Sequence, residues 1–354
     1  MNGNFSSSLK NGFDLPKKVG ILYSDVKRDY FPTEDAFLTE QDAAKNAQII
    51  SDYLTRFGIE SFLIPGNSDL PDKLTSIKPD MVLNLVDSVK GNEFLSSSIP
   101  GVLELLNVPY TGAGILGLSL TENKFLTKKI FQQNGIPTPH YQLFNNITDP
   151  VDSTLRYPLI SKLNETHGAV EITKDSVSES EKHLRERLKY LISVYKQPVL
   201  VEEFIVGKEV SAFLLEGLNK KVYLAERIIH KQEGKYKFAS FELQWLDKDV
   251  DVITYQKYED RLLAEYVRKA FNVTDMADYG KFDIRIDDSG RYFFIDSNAN
   301  PALGPKETES PIATILEMYG VNFTEILKRL ILNTIRDSTG KERLPVTDEA
   351  SEEI

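Results

Sequence analysis

Cysteine is absent from the 354-residue chain. Its absence excludes a disulfide framework, a thiolate nucleophile and a zinc site built on cysteine, so any chemistry must rest on oxygen and nitrogen groups. Long apolar runs are also missing. No N-terminal segment has the hydrophobic stretch of a signal peptide, and none approaches the roughly 20 apolar residues of a membrane span. These features predict a cytoplasmic protein without membrane contacts.

A basic surface is the second feature that the chain lacks. Lys and Arg total 42 against 53 Asp and Glu, which gives a formal net charge of −11 at pH 7. Nucleic-acid affinity depends on clustered positive charge that displaces counterions, so nucleic acid is not an expected partner. With 41% hydrophobic residues, the chain can bury more than one core. Its length and composition predict two or three domains with a site in a cleft between them.

Secondary-structure patterns divide the chain into three predicted domains between two tails. Alternating strands and helices predict an open α/β domain over residues 17–117. A smaller α+β lobe is predicted over residues 118–206, and a second, strand-rich lobe over residues 207–336. The tails, residues 1–16 and 337–354, are polar or acidic and are predicted to be disordered.

Hydrophobic periodicity and the positions of Gly and Pro predict the elements of each domain. Strands are predicted at residues 18–23, 60–64, 81–85, 157–162, 170–173, 199–204, 210–215, 221–229, 279–286 and 292–297. Helices are predicted at residues 40–57, 121–133, 178–195, 259–271 and 311–335. A polar loop that contains glycine, residues 164–168, is predicted between two strands of the central lobe.

An acidic hairpin is the most informative segment. It reads KFDIRIDDSGRYFFIDSN from Lys281 to Asn298, and its Asp-Asp-Ser-Gly centre predicts a turn between antiparallel strands. Because side chains alternate along a strand, Asp283 shares a face with Lys281, and Asp296 shares a face with Asn298. Two carboxylates and an amide oxygen suit Mg²⁺, which binds hard oxygen atoms and shares them with substrate phosphates. The hairpin therefore predicts a metal site formed by Asp283, Asp296 and Asn298.

A hairpin with a solvated acidic face is the alternative interpretation of the same residues. The second strand continues directly into a loop rich in Pro and Gly, residues 299–305. Such loops commonly carry ligand-contacting residues, which favours the metal site over the solvated face.

Two lysines and an acidic strand are the remaining candidates. Lys124 begins a predicted helix and Lys162 ends a predicted strand, where an amine can neutralise a polyphosphate. Taken singly, each is more typical of a surface lysine. An apolar strand ends in Glu202 and Glu203 and is followed by a turn and Glu209. This segment can offer backbone groups and carboxylates to a nucleobase and ribose, although an ordinary strand edge has the same pattern.

These pieces occur in an order and spacing that resembles the ATP-grasp superfamily and, within it, the D-alanine–D-alanine ligase group. The resemblance covers roughly residues 80–335 and is strongest at its two ends, GVLELLNVPYTG at 101–112 and the acidic hairpin. It implies a three-domain ATP-grasp architecture of mixed α/β and α+β class, with an N-terminal open α/β domain. It also implies ATP as the nucleotide and two Mg²⁺ ions, or Mn²⁺, as cofactors.

The resemblance also implies roles for individual residues. Lys124 and Lys162 would hold the ATP phosphates. The base and ribose of the nucleotide would be bound by Glu202, Glu203, Phe204, Ile205 and Glu209. The metal ligands would be Asp283, Asp296 and Asn298. Groups beside the reacting atoms would be Lys281 at the tetrahedral intermediate, Gly168 over the γ-phosphate and Ala302 at the oxyanion position.

Several positions depart from the pattern of the D-alanine–D-alanine ligases. Their phosphate loop carries a serine, whereas this chain reads Thr-His-Gly-Ala-Val-Glu over residues 166–171. A Lys-Tyr pair of their lid is Gln244-Trp245 here, and their oxyanion glycine is Ala302. A different acid and a different amine are therefore implied, rather than two D-alanines.

Three residues are candidates for substrate contacts: Trp245, Ser310 and His167. Ser310 aligns with a serine that binds the second substrate, but Ser followed by Pro311 is equally typical of a helix N-cap. His167 could contact phosphate or substrate, whereas a single loop histidine more often faces solvent.

The residues and the resemblance together predict an ATP-dependent ligase that joins an amino acid or small carboxylate to an amine through an acyl phosphate. One alternative is a nucleotide-binding regulatory module without catalysis, which Gln244 and Ala302 would favour. Another is an ATP-grasp phosphotransferase, which would not require a second, amine-bearing substrate. The expected partners are a small-molecule acid and an amine, and a homodimer, common among the relatives, is left open.

Overall fold

The computed structural model describes residues 15–230, 235–247 and 252–346, and its strands form three sheets. The predicted tails fall largely outside these residues, since 1–14 and 347–354 are not among them. None of the described helices is long and apolar enough to cross a membrane.

A parallel sheet forms the N-terminal part of the chain. Its strands are β1 (Lys18–Ser24), β2 (Glu60–Gly66) and β3 (Met81–Leu85), in the order β2-β1-β3. Helices α2 (Ala43–Arg56), α3 (Leu70–Ile77) and α4 (Ser98–Leu105) pack on this sheet, whereas α1 (Glu34–Leu38) packs its buried face on the core of the central part of the chain. Val19, Ile21 and Leu22 of the central β1 are fully buried, as an apolar run between two parallel neighbours requires. The three strands predicted in this region are confirmed.

A four-stranded antiparallel sheet lies in the central part of the chain. Its strands are β4 (Tyr141–Phe144), β5 (Leu159–Leu163), β6 (Val177–Ser178) and β7 (Val199–Glu203), in the order β4-β7-β5-β6. Helices α5 (Ile115–Thr121) and α6 (Lys124–Gln133) precede it, and α7 (Glu181–Tyr195) packs on it. Asn123 accepts the backbone N–H of Leu126, which caps α6 and separates it from α5.

A five-stranded antiparallel sheet forms the C-terminal part. Its strands are β8 (Lys208–Glu216), β9 (Lys220–Ile229), β10 (Ile253–Lys257), β11 (Tyr279–Ile286) and β12 (Tyr292–Asn298), in the order β10-β9-β8-β11-β12. Helices α8 (Arg261–Val273) and α9 (Pro311–Met318) pack on this sheet, and α10 (Phe323–Ser338) lies between it and the parallel sheet.

Helix α6 connects the two antiparallel sheets. The ring of Phe131 lies 5.6 Å from that of Phe294 and 6.5 Å from that of Phe282, both on the C-terminal sheet. The backbone N–H of Lys124, at the start of α6, donates to Asn164 O just after β5 at 3.0 Å. The helix therefore fixes the end of one sheet beside the acidic hairpin of the other, and a cleft remains between them.

The strand predicted at residues 170–173 is wrong. Ala169 and Glu171 have φ values of 57° and 64°, which interrupt an extended strand, and the residues form turns instead. The strand that pairs with β5 is the short β6. The helix predicted from residue 178 begins at Glu181, because Ser180 accepts the N–H of His183 and caps α7.

The single helix predicted over residues 311–335 is also wrong. Gly320 takes a left-handed φ of 73°, which ends α9, and Asn322 caps the start of α10. Residues 337–346 were predicted to belong to a disordered tail, but α10 continues to Ser338 and the chain then packs beside the β8–β9 turn. Arg343 pairs there with Glu216 at 2.9 Å.

Candidate functional site

The cleft between the two antiparallel sheets holds nearly all of the predicted site residues. It encloses about 240 Å³ of space. The predicted residues that line it are Lys124, Lys162, His167, Gly168, Glu202, Glu203, Phe204, Ile205, Glu209, Trp245, Lys281, Asp283, Asp296, Asn298 and Ala302. Ser310 does not line the cleft, although the next residue, Pro311, does.

The acidic hairpin turns its charged side chains into this cleft. Strands β11 and β12 pair with Asp283 opposite Asp296 and Lys281 opposite Asn298, with a bulge after Asp283. Asp283 accepts hydrogen bonds from Ser211 Oγ at 2.8 Å and Lys281 Nζ at 2.5 Å. Burial opposes ionisation of Asp283, but the positive charges of Lys281 and Arg227 outweigh burial and lower the pKa of the carboxyl. The alternative of a solvated acidic face is wrong.

Asp296 has a buried carboxylate oxygen without a hydrogen-bond partner. Burial opposes its ionisation, but Lys124, His167 and further lysines outweigh burial and hold its pKa below the usual range. Its Oδ1 is buried and accepts no hydrogen bond, and the nearest amine, Lys124 Nζ, lies 3.7 Å away. An orphaned carboxylate oxygen beside a second carboxylate and an amide oxygen is a hard-oxygen donor set, which fits Mg²⁺ or Mn²⁺.

The two predicted lysines are buried, so the surface alternative is wrong for both. Lys124 donates to Thr166 O at 2.7 Å, and Lys162 donates to Ile295 O at 3.1 Å. A third buried lysine, Lys128, lies behind the cleft lining and pairs with Glu202. Because Lys128 lies four residues after Lys124, helical periodicity could have indicated it.

Glu202 pairs with two of these lysines. Its carboxylate lies 2.5 Å from Lys128 Nζ and 2.7 Å from Lys162 Nζ, and its side chain is 1% exposed. Burial opposes ionisation, but both lysines outweigh it and lower the pKa of Glu202. The carboxylate therefore pairs with lysines in this structure, and a contact between Glu202 and an adenine stays a prediction.

Glu209 is held by two arginines that the sequence did not single out. Its oxygens lie 2.5 Å from Arg227 and 3.0 Å from Arg285. Arg285 also donates to the carbonyl of Ile205 at 2.8 Å. A ribose hydroxyl at Glu209 would thus meet a carboxylate that already carries two charged donors. Arg227 lies opposite Glu209 in the β8–β9 pairing, and this register was not available from the sequence.

The loop at residues 166–171 is held from two sides. Trp245 Nε1 donates to the carbonyl of Gly168 at 2.7 Å. Gly168 has a φ of 66°, and a Cβ there would lie 2.9 Å from Thr39 Cγ2. The absence of a serine at this position therefore has a steric reason in this chain, because the N-terminal segment approaches the loop closely.

His167 points inward, and the solvent-facing alternative is wrong. Its side chain is 9% exposed, and its Nδ1 lies 2.9 Å from Glu93 Oε2 and 3.1 Å from Glu122 Oε2. Burial and Lys124 oppose protonation of the ring, but Glu122 and Glu93 outweigh them and raise the pKa of His167 to about 10. Neither glutamate was predicted to belong to the site, since they come from separate segments of the chain.

Ser310 caps α9. Its Oγ accepts the backbone N–H of Ala313 at 3.2 Å, and the residue is buried. The N-cap interpretation is therefore confirmed, and a substrate contact by the same oxygen stays a prediction. Ala302 is exposed on the cleft's wall, in the loop that follows β12.

Two antiparallel sheets that enclose two buried lysines and a pair of facing carboxylates are the arrangement expected of an ATP-grasp protein. The chain belongs to the family described as D-ala D-ala ligase C-terminus, whose model matches residues 130–332.

Relatives and solved structures agree with this assignment. An uncharacterized protein of Sinorhizobium fredii, y4sG, is 27% identical over 263 residues, which cover 71% of this chain and 76% of the relative. A D-alanine–D-alanine ligase of Desulforamulus reducens is 29% identical over 275 residues, which cover 72% of this chain and 86% of that ligase. A crystal structure of a D-alanine–D-alanine ligase from Bacillus anthracis, complexed with ATP, superposes with a TM-score of 0.68 at 17% identity, covering 92% of this chain and 99% of that one. The predicted ATP-grasp fold class is confirmed.

Proposed function

We propose that the protein is an ATP-dependent ligase that joins an amino acid or another small carboxylate to an amine through an acyl phosphate, releasing ADP and phosphate. The observation that carries this proposal is that Lys124 and Lys162 meet Asp283 and Asp296 in one buried cleft. Phosphoryl transfer needs cations that neutralise phosphates and carboxylates that hold metal ions, and both are present. The family and the names of the ligases among its relatives support the same class of reaction.

The first half of the proposed reaction activates the acid. A carboxylate is a poor electrophile, so its oxygen must first take the γ-phosphoryl group of ATP. Lys124 and Lys162 would hold the phosphates and offset their charge. Two Mg²⁺ ions, or Mn²⁺, held by Asp283, Asp296 and Asn298, would supply further charge neutralisation between the phosphates and the acid.

The second half joins the amine and expels phosphate. Lys281 would stabilise the negative charge of the tetrahedral intermediate, and the backbone at Ala302, which lines the same cleft, would be the oxyanion position. The hydrogen bond from Trp245 to Gly168 would help to hold a lid over this space and so keep water from hydrolysing the acyl phosphate. His167 and Ser310 remain proposed substrate contacts.

The substrates are proposed to differ from two D-alanines. Gly168 removes the loop hydroxyl, Gln244-Trp245 replaces an amine and a phenol, and Ala302 adds a methyl group at the oxyanion position. Gln244 replaces an amine that would hold phosphate, and the other changes would alter contacts to the acid or the amine, whereas Asp283, Asp296 and Asn298 are unchanged. The proposal includes a cytoplasmic location, where ATP is abundant, and domain limits near 117/118 and 206/207.

The first experiment measures release of ADP and phosphate with Mg²⁺ and a panel of L- and D-amino acids and dipeptides, singly and in pairs, with mass spectrometry of products. We expect turnover only with certain pairs and a product lighter than their sum by one water. Asp296→Asn should abolish it, whereas Asp288→Asn, an exposed acid of the same hairpin, should not. ADP release that needs no amine and leaves a phosphorylated acceptor would indicate a phosphotransferase, and ATP binding without turnover on any pair would favour the regulatory module.

A further inference from the structure

A histidine and two glutamates from three separate segments converge beside the phosphate loop. His167 Nδ1 lies 2.9 Å from Glu93 Oε2 and 3.1 Å from Glu122 Oε2, and all three ligand atoms lie within 4.8 Å of one another. Glu93 begins a helical turn of the N-terminal part, Glu122 follows α5, and His167 belongs to the loop after β5. The side chains are 15%, 6% and 9% exposed, respectively.

Hydrogen bonding does not satisfy this group of three residues. Glu93 Oε2 accepts both the backbone N–H of His167 at 2.7 Å and the ring nitrogen. An imidazole nitrogen carries at most one hydrogen, so it cannot serve two carboxylates fully. Glu122 Oε2 is buried and has no hydrogen-bond partner although it faces the same nitrogen. A buried carboxylate oxygen without a donor is costly unless a cation completes it.

We propose that His167, Glu93 and Glu122 form a binding site for a divalent transition-metal ion, separate from the two metal ions of the acidic hairpin. Nitrogen and oxygen ligands lie about 2.1 Å from such ions, and angles between tetrahedral and octahedral values then separate neighbouring ligand atoms by about 3.0–3.4 Å. The two separations at Nδ1, 2.9 and 3.1 Å, lie near the lower end of that spacing, and the two glutamate oxygens lie within 4.8 Å of each other. One imidazole with two carboxylates favours Zn²⁺ and its neighbours in the series over Mg²⁺, which prefers oxygen alone.

The second nitrogen of the ring supports the assignment. His167 Nε2 is buried without a hydrogen-bond partner and lies 3.9 Å from Asp296 Oδ1, which is also unpartnered. Histidines that bind metal through one nitrogen usually donate the other N–H to a carboxylate, and a small shift of either side chain would close this gap. The metal ion would take the place of the ring proton that the glutamates otherwise favour.

Such an ion would join three parts of the chain. It would fix the phosphate loop to the N-terminal turn at Glu93 and to the α5–α6 junction at Glu122. It would also orient the His167 ring toward Asp296, so the site would contact the proposed catalytic metals through one carboxylate. The inference does not require the proposed ligase reaction, because it concerns binding of the ion to the nucleotide-free protein.

The test is calorimetric titration of the nucleotide-free protein with Zn²⁺ in saturating Mg²⁺, which occupies oxygen-only sites. We expect one tight site in the wild type. Glu122→Gln and His167→Gln should weaken it by more than the roughly 10- to 100-fold that changing a partner of a metal ligand costs. Two controls should keep it: Glu165→Gln, in the same loop, and His140→Gln, whose side chain is 69% exposed. Wild-type affinity no higher than that of His167→Gln would overturn the proposal.

A second measurement does not depend on the folding of any variant. Anomalous diffraction at the zinc edge, from wild-type crystals grown with Zn²⁺ and Mg²⁺, should show a peak within bonding distance of the His167, Glu93 and Glu122 ligand atoms. A strong zinc peak only at other places, with these side chains ordered and no density among them, would contradict the assignment.

Discussion

Asp278 is a residue whose ionisation should appear in the pH dependence of folding. Its side chain is buried, one oxygen accepts the backbone N–H of Gly112 at 2.7 Å, and the other lies 3.2 Å from Arg343. Burial, helped by nearby Glu216, raises its pKa to about 6 from an ordinary 3.8, although Arg343 and Gly112 oppose the shift. Asp278 therefore contacts both the N-terminal part, at Gly112, and the segment after α10, at Arg343. Its carboxyl loses its proton at a higher pH than an ordinary aspartate.

We expect Asp278→Asn to be stabilised relative to the wild type as the pH rises. The folded pKa lies above the unfolded one, so the folded state binds more protons between these values. The free energy of unfolding therefore falls as the pH rises from about 4 to about 6. The difference between the folded and unfolded pKa of Asp278 corresponds to roughly 3 kcal/mol. This value is the upper limit on the increase in the free energy of unfolding that the variant can show. Denaturant unfolding of both proteins at the two ends of this range measures it.

A matched control is available in the same turn. Asp275 also has a positive φ, 54°, but is exposed, so Asp275→Asn should leave the pH dependence of the wild type unchanged. Parallel pH profiles for the wild type and Asp278→Asn would mean that the carboxyl ionises normally in the folded protein.

Single residues also show what the sequence could and could not indicate about the site. Asp283 and Asp296 were predictable, because a hairpin turn between two strands fixes which side chains face each other. Lys128 could also have been predicted, because it lies four residues after Lys124 and therefore on the same face of the helix. Arg227 was not, because its pairing with Glu209 depends on which strands are neighbours in the C-terminal sheet.

At the scale of elements, a side-chain hydrogen bond joins the lid at Gln244-Trp245 to the loop at residues 166–171. Residues 242–246 form a turn of π-helix that presents Trp245, whose ring stacks on Phe241 with centroids 6.4 Å apart. The indole N–H is the donor to Gly168. Trp245→Phe would remove this donor and keep most of the aromatic contact, so it separates the hydrogen bond from the packing.

We expect Trp245→Phe to loosen the loop at residues 164–171. A neutral hydrogen bond contributes about 0.5–1.5 kcal/mol, so local opening should become roughly 2- to 10-fold more frequent. Hydrogen exchange of the loop amides measures this, with the β7 amides as the internal reference. If the proposed activity is found, preference among substrates should change more than ATP affinity. Unchanged loop exchange would show that the hydrogen bond does not hold the lid.

The elements that the sequence failed to predict share a physical reason. Long or strongly patterned segments such as β1, β8 and α8 were found, because their apolar period is clear. The short α1 and β10 carry too few apolar positions to show a period. The turn at 170–173 looked extended in sequence, but Glu171 accepts hydrogen bonds from Arg187 and from two tyrosines of α7, which fold the chain back.

On the scale of the whole molecule, one face of the N-terminal part exposes a continuous set of apolar side chains. Helices α4 and α5 and the helical turn Glu93–Ser97 pack against one another. They expose the side chains that we call the apolar patch: Phe94, Leu95, Leu105, Leu106, Ile115 and Leu116. Leu105 is 84% exposed, which is unusual for leucine beside other exposed apolar side chains. Such a surface is typical of a protein contact, and a second copy of this chain is the occupant that a homodimer would supply.

We therefore expect the wild type to be a dimer and the double variant Leu105→Lys, Leu116→Lys to be a monomer. Two charges at the centre of an apolar contact would have to be buried without partners in both copies, so the dimer should be lost while the monomer remains folded. Sedimentation equilibrium measures the masses. Leu262→Lys on α8, where the leucine is 59% exposed but lies outside the patch, should remain dimeric. A monomeric wild type, or a double variant that stays dimeric, would show that this face does not join two copies.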